Sequence, residues 1–298
     1  MAPFIVGVPR SGTTLLRLML DAHPRLAIPP ETGFLSRLAR LPWLWPTVLG
    51  RRRLLTIITR AQSWPDFHLD AHALAEALDA VKAFTLADGL RAFYRLYAAR
   101  FNKSLWGDKT PLYGRHAYAI ARLLPEARFI HLIRDGRDVA LSLRTMWFAP
   151  SRRVDALAGY WARELQRARR QGKRLKHYTE VRYEALIRNP EHVLGDICQF
   201  LELEFDPRML SYYENAAARL GEHEGRANAN GTVWLTKTQR QSQQGHTGKP
   251  VDVTRIERWR TELDIADAAA FEHVAGGLLR ELGYPPATRS TLDRSADP

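Results

Sequence analysis

The sequence predicts an α/β fold of three layers, with helices on both faces of a central, mainly parallel sheet. Two observations indicate it. Short apolar runs alternate with stretches of helical periodicity along most of the 298 residues, and the first run is followed at once by a tight turn and an amphipathic helix. Such alternation is typical of parallel strands joined by helices. Hydrophobic residues make up 45% of the chain, which is enough to fill a core of this kind.

The elements follow from the periodicity, taken in chain order. Residues 4–8 form the first strand, and Leu15, Leu16, Met19 and Leu20 fall on one face of the helix after it. The remaining elements are strands at 105–107, 128–133 and 178–182, helices at 71–102, 111–124, 154–171 and 254–282, helices that begin at Asp135 and Pro190, and a long loop at 221–249. No repeat or linker divides the chain, so we predict a single domain over 1–298 with a frayed tail at 285–298.

The charge of the chain points to anionic partners. There are 44 Lys and Arg residues against 32 Asp and Glu, a net charge of +12. An arginine-rich solvated surface and a basic cleft for a polyanionic nucleotide both account for this excess. Basic runs such as 51–53 and 167–174 leave a nucleic-acid-binding protein as an alternative, but no helix-turn-helix, zinc finger or RNP-type strand supports it.

Cysteine content and hydropathy favour a cytoplasmic protein. Cys198 is the single cysteine, so an intrachain disulfide and a cysteine-based zinc site are excluded, and an inert core thiol is expected. No apolar run approaches the ~18 residues of a membrane span. A signal peptide is not expected, because 4–8 has the pattern of a core strand and Arg10 follows it.

The turn GVPRSGTT is built to hold a phosphate or sulfate group. It places the backbone amides of 11–14 at a helix N-terminus, where anions bind. Gly7 and Gly12 permit the turn, and Arg10 supplies positive charge from inside it. The turn resembles a P-loop, but Thr13 stands where the P-loop lysine is required.

A kinase or P-loop NTPase is the alternative enzyme class. Such enzymes need the loop lysine and a carboxylate that holds Mg²⁺. Thr13 replaces the lysine, and Asp135 follows Arg134, which indicates a second anion site more than a metal site. The residues therefore favour a metal-free enzyme that handles a nucleotide with phosphate at both ends.

The motifs PRSGTTLL and RFIHLIRDGRDVALS resemble those of sulfotransferases that depend on 3'-phosphoadenosine 5'-phosphosulfate (PAPS). The segments ETGF, VRYEALIRNPEHVLGDICQFLEL and LTKTQRQS extend the resemblance, toward tyrosylprotein sulfotransferases and bacterial enzymes that share their motifs. The resemblance implies the P-loop-like sulfotransferase fold, PAPS as co-substrate without a metal, and a hydroxyl acceptor: a small molecule, lipid, sugar or peptide. A sulfuryl group in transfer carries less negative charge than a phosphoryl group, so fixed cations and amides suffice.

The resemblance also implies residue roles. The 5'-phosphate and sulfate would be held by Arg10, Ser11, Gly12, Thr13 and Thr14. Arg134 and Ser142 would bind the 3'-phosphate, and Tyr183 would line the nucleotide site. Thr236 and Lys249 would close over the nucleotide, in a loop whose pattern departs from the family by a couple of inserted residues.

Two further residues are candidates for the chemistry. Glu31 aligns with the glutamate base of tyrosylprotein sulfotransferases; without the resemblance it is a carboxylate at a helix start. Lys109, in WGDKTP, would stabilise charge on the transferring sulfuryl group together with Arg10, or else be a solvated loop residue. Asp108 is expected to orient Lys109. Histidines such as His23 and His131 are expected to be packing or capping residues.

The region 37–100 is the least family-like and is expected to be a helical, acceptor-side region. Trp43, Trp45 and Trp64 lie there among prolines. They are core residues, acceptor-pocket residues or residues at a lipid surface, since tryptophan and arginine are common at membrane interfaces. We expect this region to determine which acceptor is bound.

Overall fold

The computed structural model describes residues 1–39, 50–227 and 232–287. Trp43, Trp45 and the end of the tail, 288–298, lie outside the described residues. The strands are β1 (Ala2–Gly7), β2 (Leu26–Ala27), β3 (Leu105–Trp106), β4 (Asp108–Lys109), β5 (Ala127–Ile133), β6 (Tyr178–Arg182), β7 (Arg226–Ala227) and β8 (Val233–Leu235).

The described helices flank these strands along the chain. They are α1 (Thr13–Asp21), α2 (Leu35–Leu38), α3 (Arg51–Thr59), α4 (Ala71–Asp79), α5 (Leu86–Ala99), α6 (Ala117–Leu123), α7 (Gly136–Leu143), α8 (Val154–Gly172), α9 (Tyr183–Arg188), α10 (Pro190–Leu201), α11 (Tyr213–Gly221), α12 (Lys237–Ser242), α13 (Trp259–Glu262) and α14 (Ile265–Glu281). None of the described helices combines the length and apolar character needed to cross a bilayer.

The central sheet confirms the predicted fold class. Its four strands are parallel, in the order β4-β1-β5-β6. Phe4 pairs with Asp108 on one side and Phe129 on the other, so β1 lies inside the sheet. Side chains of β1 alternate between two hydrophobic clusters: Phe4 and Val6 join the first, Ile5 the second. Both faces of the sheet are therefore covered, as parallel sheets require.

The carboxyl ends of the four strands bring the sequence motifs to one edge. Lys109 ends β4, Arg10 follows β1, Arg134 follows β5 and Tyr183 follows β6. In open parallel sheets, ligands bind at this edge. The topology thus gathers residues that are far apart in sequence, and this is what positions the site.

Three predicted helices differ from the structure, and side-chain caps explain two of the differences. The helix expected at 71–102 is two helices, because the Thr85 hydroxyl accepts a hydrogen bond from the Asp88 amide and starts α5. The helix expected at 254–282 is likewise divided, with Asp264 capping α14. The segment 111–124 begins as a 3₁₀-helix over Pro111–His116 before α6.

The loop expected at 221–249 is also more ordered than predicted. Its described part contains the antiparallel pair β7–β8 and the helix α12. The helix starts in a capping box, in which Thr236 and Gln239 each bind the other's backbone amide. This start signal was present in the sequence but is masked by the polar composition of the segment.

Candidate active site

The turn between β1 and α1 has the shape of an anion site. Arg10 adopts φ 75° and Gly12 φ 96°, and the Ser11 amide donates to the Val8 carbonyl at 3.1 Å, which closes the turn. The Ser11 hydroxyl oxygen is buried and has no hydrogen-bond partner within the described part of the chain. A buried polar atom without a partner raises the free energy of the folded state. A polar ligand that bonds to this oxygen would therefore be favoured at the turn.

Gly12 is required by a close approach as well as by its backbone. A Cβ atom at this position would lie 2.5 Å from the Tyr183 ring. The ring of Tyr183 thus packs directly on the turn and joins the end of β6 to the end of β1.

We expect Gly12→Ala to lose more stability than Gly33→Ala. Both glycines have positive φ, which costs an L-residue about 1–2 kcal/mol, but a Cβ at Gly33 would meet nothing within 4 Å. The excess loss at Gly12 therefore reports the contact with Tyr183 together with its larger φ, 96° against 69° at Gly33. Urea denaturation of both variants measures it, and equal losses would show that the turn can yield to a methyl group.

Arg134 forms a second basic site beside the turn. Its guanidinium lies over the Tyr183 ring, 4.4 Å from the centroid, and donates to the Asp138 carboxylate at 3.1 Å and the Arg255 carbonyl at 2.6 Å. The Nε atom of Arg134 is buried without a partner among the described residues. This nitrogen is therefore a donor available to a ligand.

Arg10 connects the turn, which is the first basic site, with the second basic site at Arg134. Arg10 Nε donates to the Ser142 hydroxyl at 3.1 Å, and the Arg134 guanidinium donates to the Arg10 carbonyl at 3.4 Å. Burial lowers the pKa of Arg10, and the positive charge of Arg134 lowers it further. Like charges held together in a buried place favour the binding of an anion.

Glu31 and Lys109 form an ion pair. Lys109 Nζ donates to Glu31 Oε1 at 2.7 Å and lies 3.4 Å from the Thr14 hydroxyl. The side chain of Lys109 is 2% exposed and that of Glu31 is 52% exposed. Burial lowers the pKa of Lys109, while the charge of Glu31 acts in the opposite direction. The pair thus combines a buried cation with a carboxylate that faces solvent.

Asp108, expected to orient Lys109, makes no direct hydrogen bond to it in the part of the chain that the structure describes. Within the described residues, its carboxylate accepts from the Thr32 hydroxyl at 2.6 Å and the Tyr94 hydroxyl at 2.8 Å. Strand alternation explains this, because consecutive side chains of β4 point to opposite faces of the sheet.

These residues share one cavity of about 990 Å³. Of the residues predicted to take part, its lining contains Arg10, Gly12, Thr13, Thr14, Glu31, Lys109, Arg134, Ser142, Tyr183 and Lys249. Ser11 and Thr236 are not among the lining residues, and Thr236 caps α12 instead. The structure therefore brings ten of the predicted residues together.

Part of the cavity wall was not predicted from the sequence. It comes from described residues between 224 and 255, which we call the C-terminal segment. Arg255 and Gln243 line the cavity, and the Gln243 carbonyl accepts from Arg10 at 3.1 Å. No local sequence pattern predicts these two residues, because Gln243 binds through its backbone carbonyl and Arg255 lies in a generally basic stretch.

A buried carboxylate holds the C-terminal segment against the helical region. Asp66 is 0% exposed and accepts from Arg226 at 2.6 Å, Arg240 at 2.8 Å and the Glu224 amide at 2.9 Å. Burial raises the pKa of Asp66, but the hydrogen bonds from Arg240 and Arg226 outweigh this and hold it below its usual value. We call Asp66, Arg226 and Arg240 the Asp66 cluster; both arginines line the cavity.

The other titratable candidates have structural surroundings. The His131 ring is buried and lies 2.6 Å from the Tyr178 hydroxyl, and burial lowers its pKa to about 4. The His23 ring lies 3.1 Å from the Glu204 carbonyl. The Cys198 thiol is buried, which raises its pKa to about 11. Trp64 packs against Phe67 of the core, with ring centroids 6.3 Å apart.

A parallel sheet with two basic sites at its carboxyl edge is typical of proteins that bind anionic ligands there. The comparison with known proteins identifies the family. The model of the Sulfotransferase family matches residues 3–207, and the chain belongs to this family.

Relatives and solved structures agree with this assignment. The chain is 30% identical to protein-tyrosine sulfotransferase 1 of Danio rerio over 95% of its own length and 72% of the relative's. It is 27% identical to nodulation protein NoeE of Sinorhizobium fredii, over 97% of this chain and 67% of the relative. The sulfotransferase domain of the Synechococcus PCC 7002 olefin synthase has a similar fold, with a TM-score of 0.59 and 23% identity. The match covers 96% of this chain and 95% of that domain.

A further solved structure holds a nucleotide. Mouse sulfotransferase SULT7A1, complexed with PAP, matches with a TM-score of 0.50 and 14% identity over 95% of this chain and 88% of the mouse chain. At this identity the match shows a shared fold.

Proposed function

We propose that this sulfotransferase transfers a sulfuryl group from PAPS to a hydroxyl acceptor by in-line attack, with Glu31 as the general base. The observation that carries the proposal is the 2.7 Å contact between Glu31 and Lys109 in the wall of the cavity that both basic sites also line. A base, a cation and two anion sites in one cavity are the groups that this transfer needs.

The residues present fit such a nucleotide. Ser11 Oγ and Arg134 Nε are buried polar atoms without partners in the described ranges; Arg134 lines the cavity, and Ser11 lies in the turn between the lining residues Arg10 and Gly12. Two separate anion sites match a nucleotide that carries a 5'-phosphosulfate and a 3'-phosphate. The PAP in the related mouse structure supports the same class of ligand. When bound, PAPS supplies an activated sulfuryl group.

Each side chain then has a defined task. Arg10, Thr13 and Thr14 hold the 5' end, and Arg134 with Ser142 holds the 3'-phosphate. Lys109 places its ammonium group beside Thr14 and Glu31, where it stabilises negative charge on the transferring group. Glu31 accepts the proton of the acceptor hydroxyl, and its 52% exposure leaves room for that hydroxyl.

The acceptor enters along the helical region. Arg37, Ile57, Arg60 and Ala61 line the cavity, and all come from the region predicted to face the acceptor. Their mixture of apolar and cationic side chains accommodates a hydroxyl compound with an apolar part.

We expect 3'-phosphoadenosine 5'-phosphate (PAP) to raise the melting temperature of the protein far more than adenosine 5'-phosphosulfate, which lacks the 3'-phosphate. Arg134→Ala should weaken PAP binding by about 1.5–3 kcal/mol, the range for a lost hydrogen bond to a charged group. Arg60→Ala, which removes a cation that the helical region contributes to the same cavity, is the matched control and should bind PAP normally. Isothermal titration measures both affinities.

Three outcomes would contradict the proposal. Equal stabilisation by the two nucleotides would show that the protein does not recognise the 3'-phosphate. An unchanged PAP affinity in Arg134→Ala would show that Arg134 does not bind it. Stronger stabilisation by ATP with Mg²⁺ than by PAP would favour a kinase or NTPase instead.

A further inference from the structure

Glu31 and Lys109 reach their contact from unrelated parts of the chain. Lys109 ends a strand of the central sheet, whereas Glu31 lies in the irregular segment between β2 and α2. An exposed carboxylate on such a segment has no fixed position of its own. Something must hold the backbone at Glu31 against the backbone at Lys109.

Hydrogen bonds directly beside the pair do this. The Thr32 hydroxyl donates to Asp108 Oδ2 at 2.6 Å, and the Thr32 amide donates to the Thr110 hydroxyl at 3.1 Å. The residue after Glu31 is thus bonded to both neighbours of Lys109. The two bonds fix the relative position of the two backbones.

The protons in this network have one consistent arrangement when Asp108 is ionised. The carboxylate only accepts, so the Thr32 hydroxyl proton goes to Asp108. The Tyr113 hydroxyl, 2.7 Å from the Thr32 oxygen, must then donate to it, and it accepts from the Leu35 amide at 2.9 Å. The Tyr94 hydroxyl donates to the same Asp108 oxygen at 2.8 Å.

All four side chains of the network are shielded from water. Thr32, Tyr94, Asp108 and Tyr113 are each 0% exposed. Their hydroxyl groups and Asp108 Oδ2 are all hydrogen-bonded, which favours one geometry, while Asp108 Oδ1 is buried without a partner among the described residues. Burial raises the pKa of Asp108 to about 6, so the carboxylate is ionised in mildly alkaline buffer.

We propose that Asp108, acting through the Thr32 hydroxyl, is a positioning residue that sets the contact between Glu31 and Lys109. The inference rests on the proposed function, since it gives Glu31 and Lys109 their task. Neither Thr32 nor Asp108 touches the reacting groups through its hydrogen-bonding atoms. Both act through the backbone of the neighbouring residue.

The test uses Thr32→Val, which keeps the shape and removes the hydroxyl, and Thr32→Ser, which keeps the hydroxyl. In mildly alkaline buffer, Thr32→Val should lower kcat by about ten- to a hundredfold, because a displacement near 1 Å costs up to roughly 10² in rate. PAP affinity should be unchanged, and Thr32→Ser should restore kcat. In a crystal structure of Thr32→Val, the distance between Lys109 Nζ and Glu31 Oε1 should exceed 2.7 Å.

Combining Thr32→Val with Glu31→Gln separates this inference from the proposed function. If Thr32 acts through Glu31, the double variant should be no slower than Glu31→Gln alone. A wild-type kcat in Thr32→Val, an unchanged distance in its crystal structure, or an equal loss in both backgrounds would overturn the positioning role. Near-normal turnover of Glu31→Gln alone would instead overturn the role of Glu31 as base, whatever the crystal structure shows.

Discussion

Glu31→Gln is expected to lower kcat by roughly 10²–10⁴-fold, the usual contribution of a positioned general base. The amide keeps the shape of the side chain but does not accept the proton. PAP affinity should be nearly unchanged, because the base acts on the acceptor side of the sulfur. Initial rates with saturating acceptor and labelled PAPS, together with PAP titration, measure the two quantities.

A surface glutamate provides the control for this variant. Glu76 lies on α4 with its side chain 69% exposed, so Glu76→Gln changes the same charge without touching the cavity. Near-normal turnover in Glu31→Gln would mean that Glu31 is only a carboxylate in the irregular segment before α2. The base would then be sought among the histidines that line the cavity, His223 and His246.

Lys109→Met is expected to lower kcat by about 10²–10³-fold, as the loss of one donor to a developing negative charge does. Methionine fills a similar volume, and the exposed Glu31 left behind stays solvated, so the fold should persist. PAP affinity should also fall, because Thr14 and Lys109 are in contact. Steady-state rates and PAP titration give the two losses separately.

Lys109→Arg provides the companion test through its pH profile. Burial lowers the pKa of Lys109 from its usual 10.5, so kcat should fall as pH rises through that lowered value and the ammonium group is lost. Arginine keeps its charge over this range. The alkaline decline should therefore be absent from the arginine variant, whatever its absolute rate; a decline shared by both proteins would assign the ionisation to another group.

The parts of the site with local signals were predictable from the sequence. The turn around Gly12 combines permissive glycines, hydroxyls and a cation within a few residues, and strand β5 directly precedes Arg134. A strand, a turn and a helix start that are consecutive in sequence are also neighbours in space. The turn and Arg134, which we propose to bind anions, could therefore be located from the sequence alone.

The parts that depend on distant residues were not predictable in this way. Glu31 and Lys109 are 78 residues apart, and Asp66 and Arg226 are 160 apart. No periodicity reports a contact over such a separation, and nothing in the sequence shows that Asp108 is linked to this pair through Thr32 and not through a direct hydrogen bond to Lys109. The helix division at Thr85 was missed for another reason, since apolar periodicity continues across the cap.

The Asp66 cluster limits how this enzyme can be recombined with its relatives. Asp66 belongs to the helical region, whereas Arg226 and Arg240 belong to the C-terminal segment. A chimera that imports the helical region alone, without an equivalent of Asp66, leaves two cationic side chains beside the cavity without their counter-ion. Breaking a buried pair in this way costs about 3–5 kcal/mol, a large share of the stability of a domain. Exchanges intended to change acceptor preference should therefore carry both segments together.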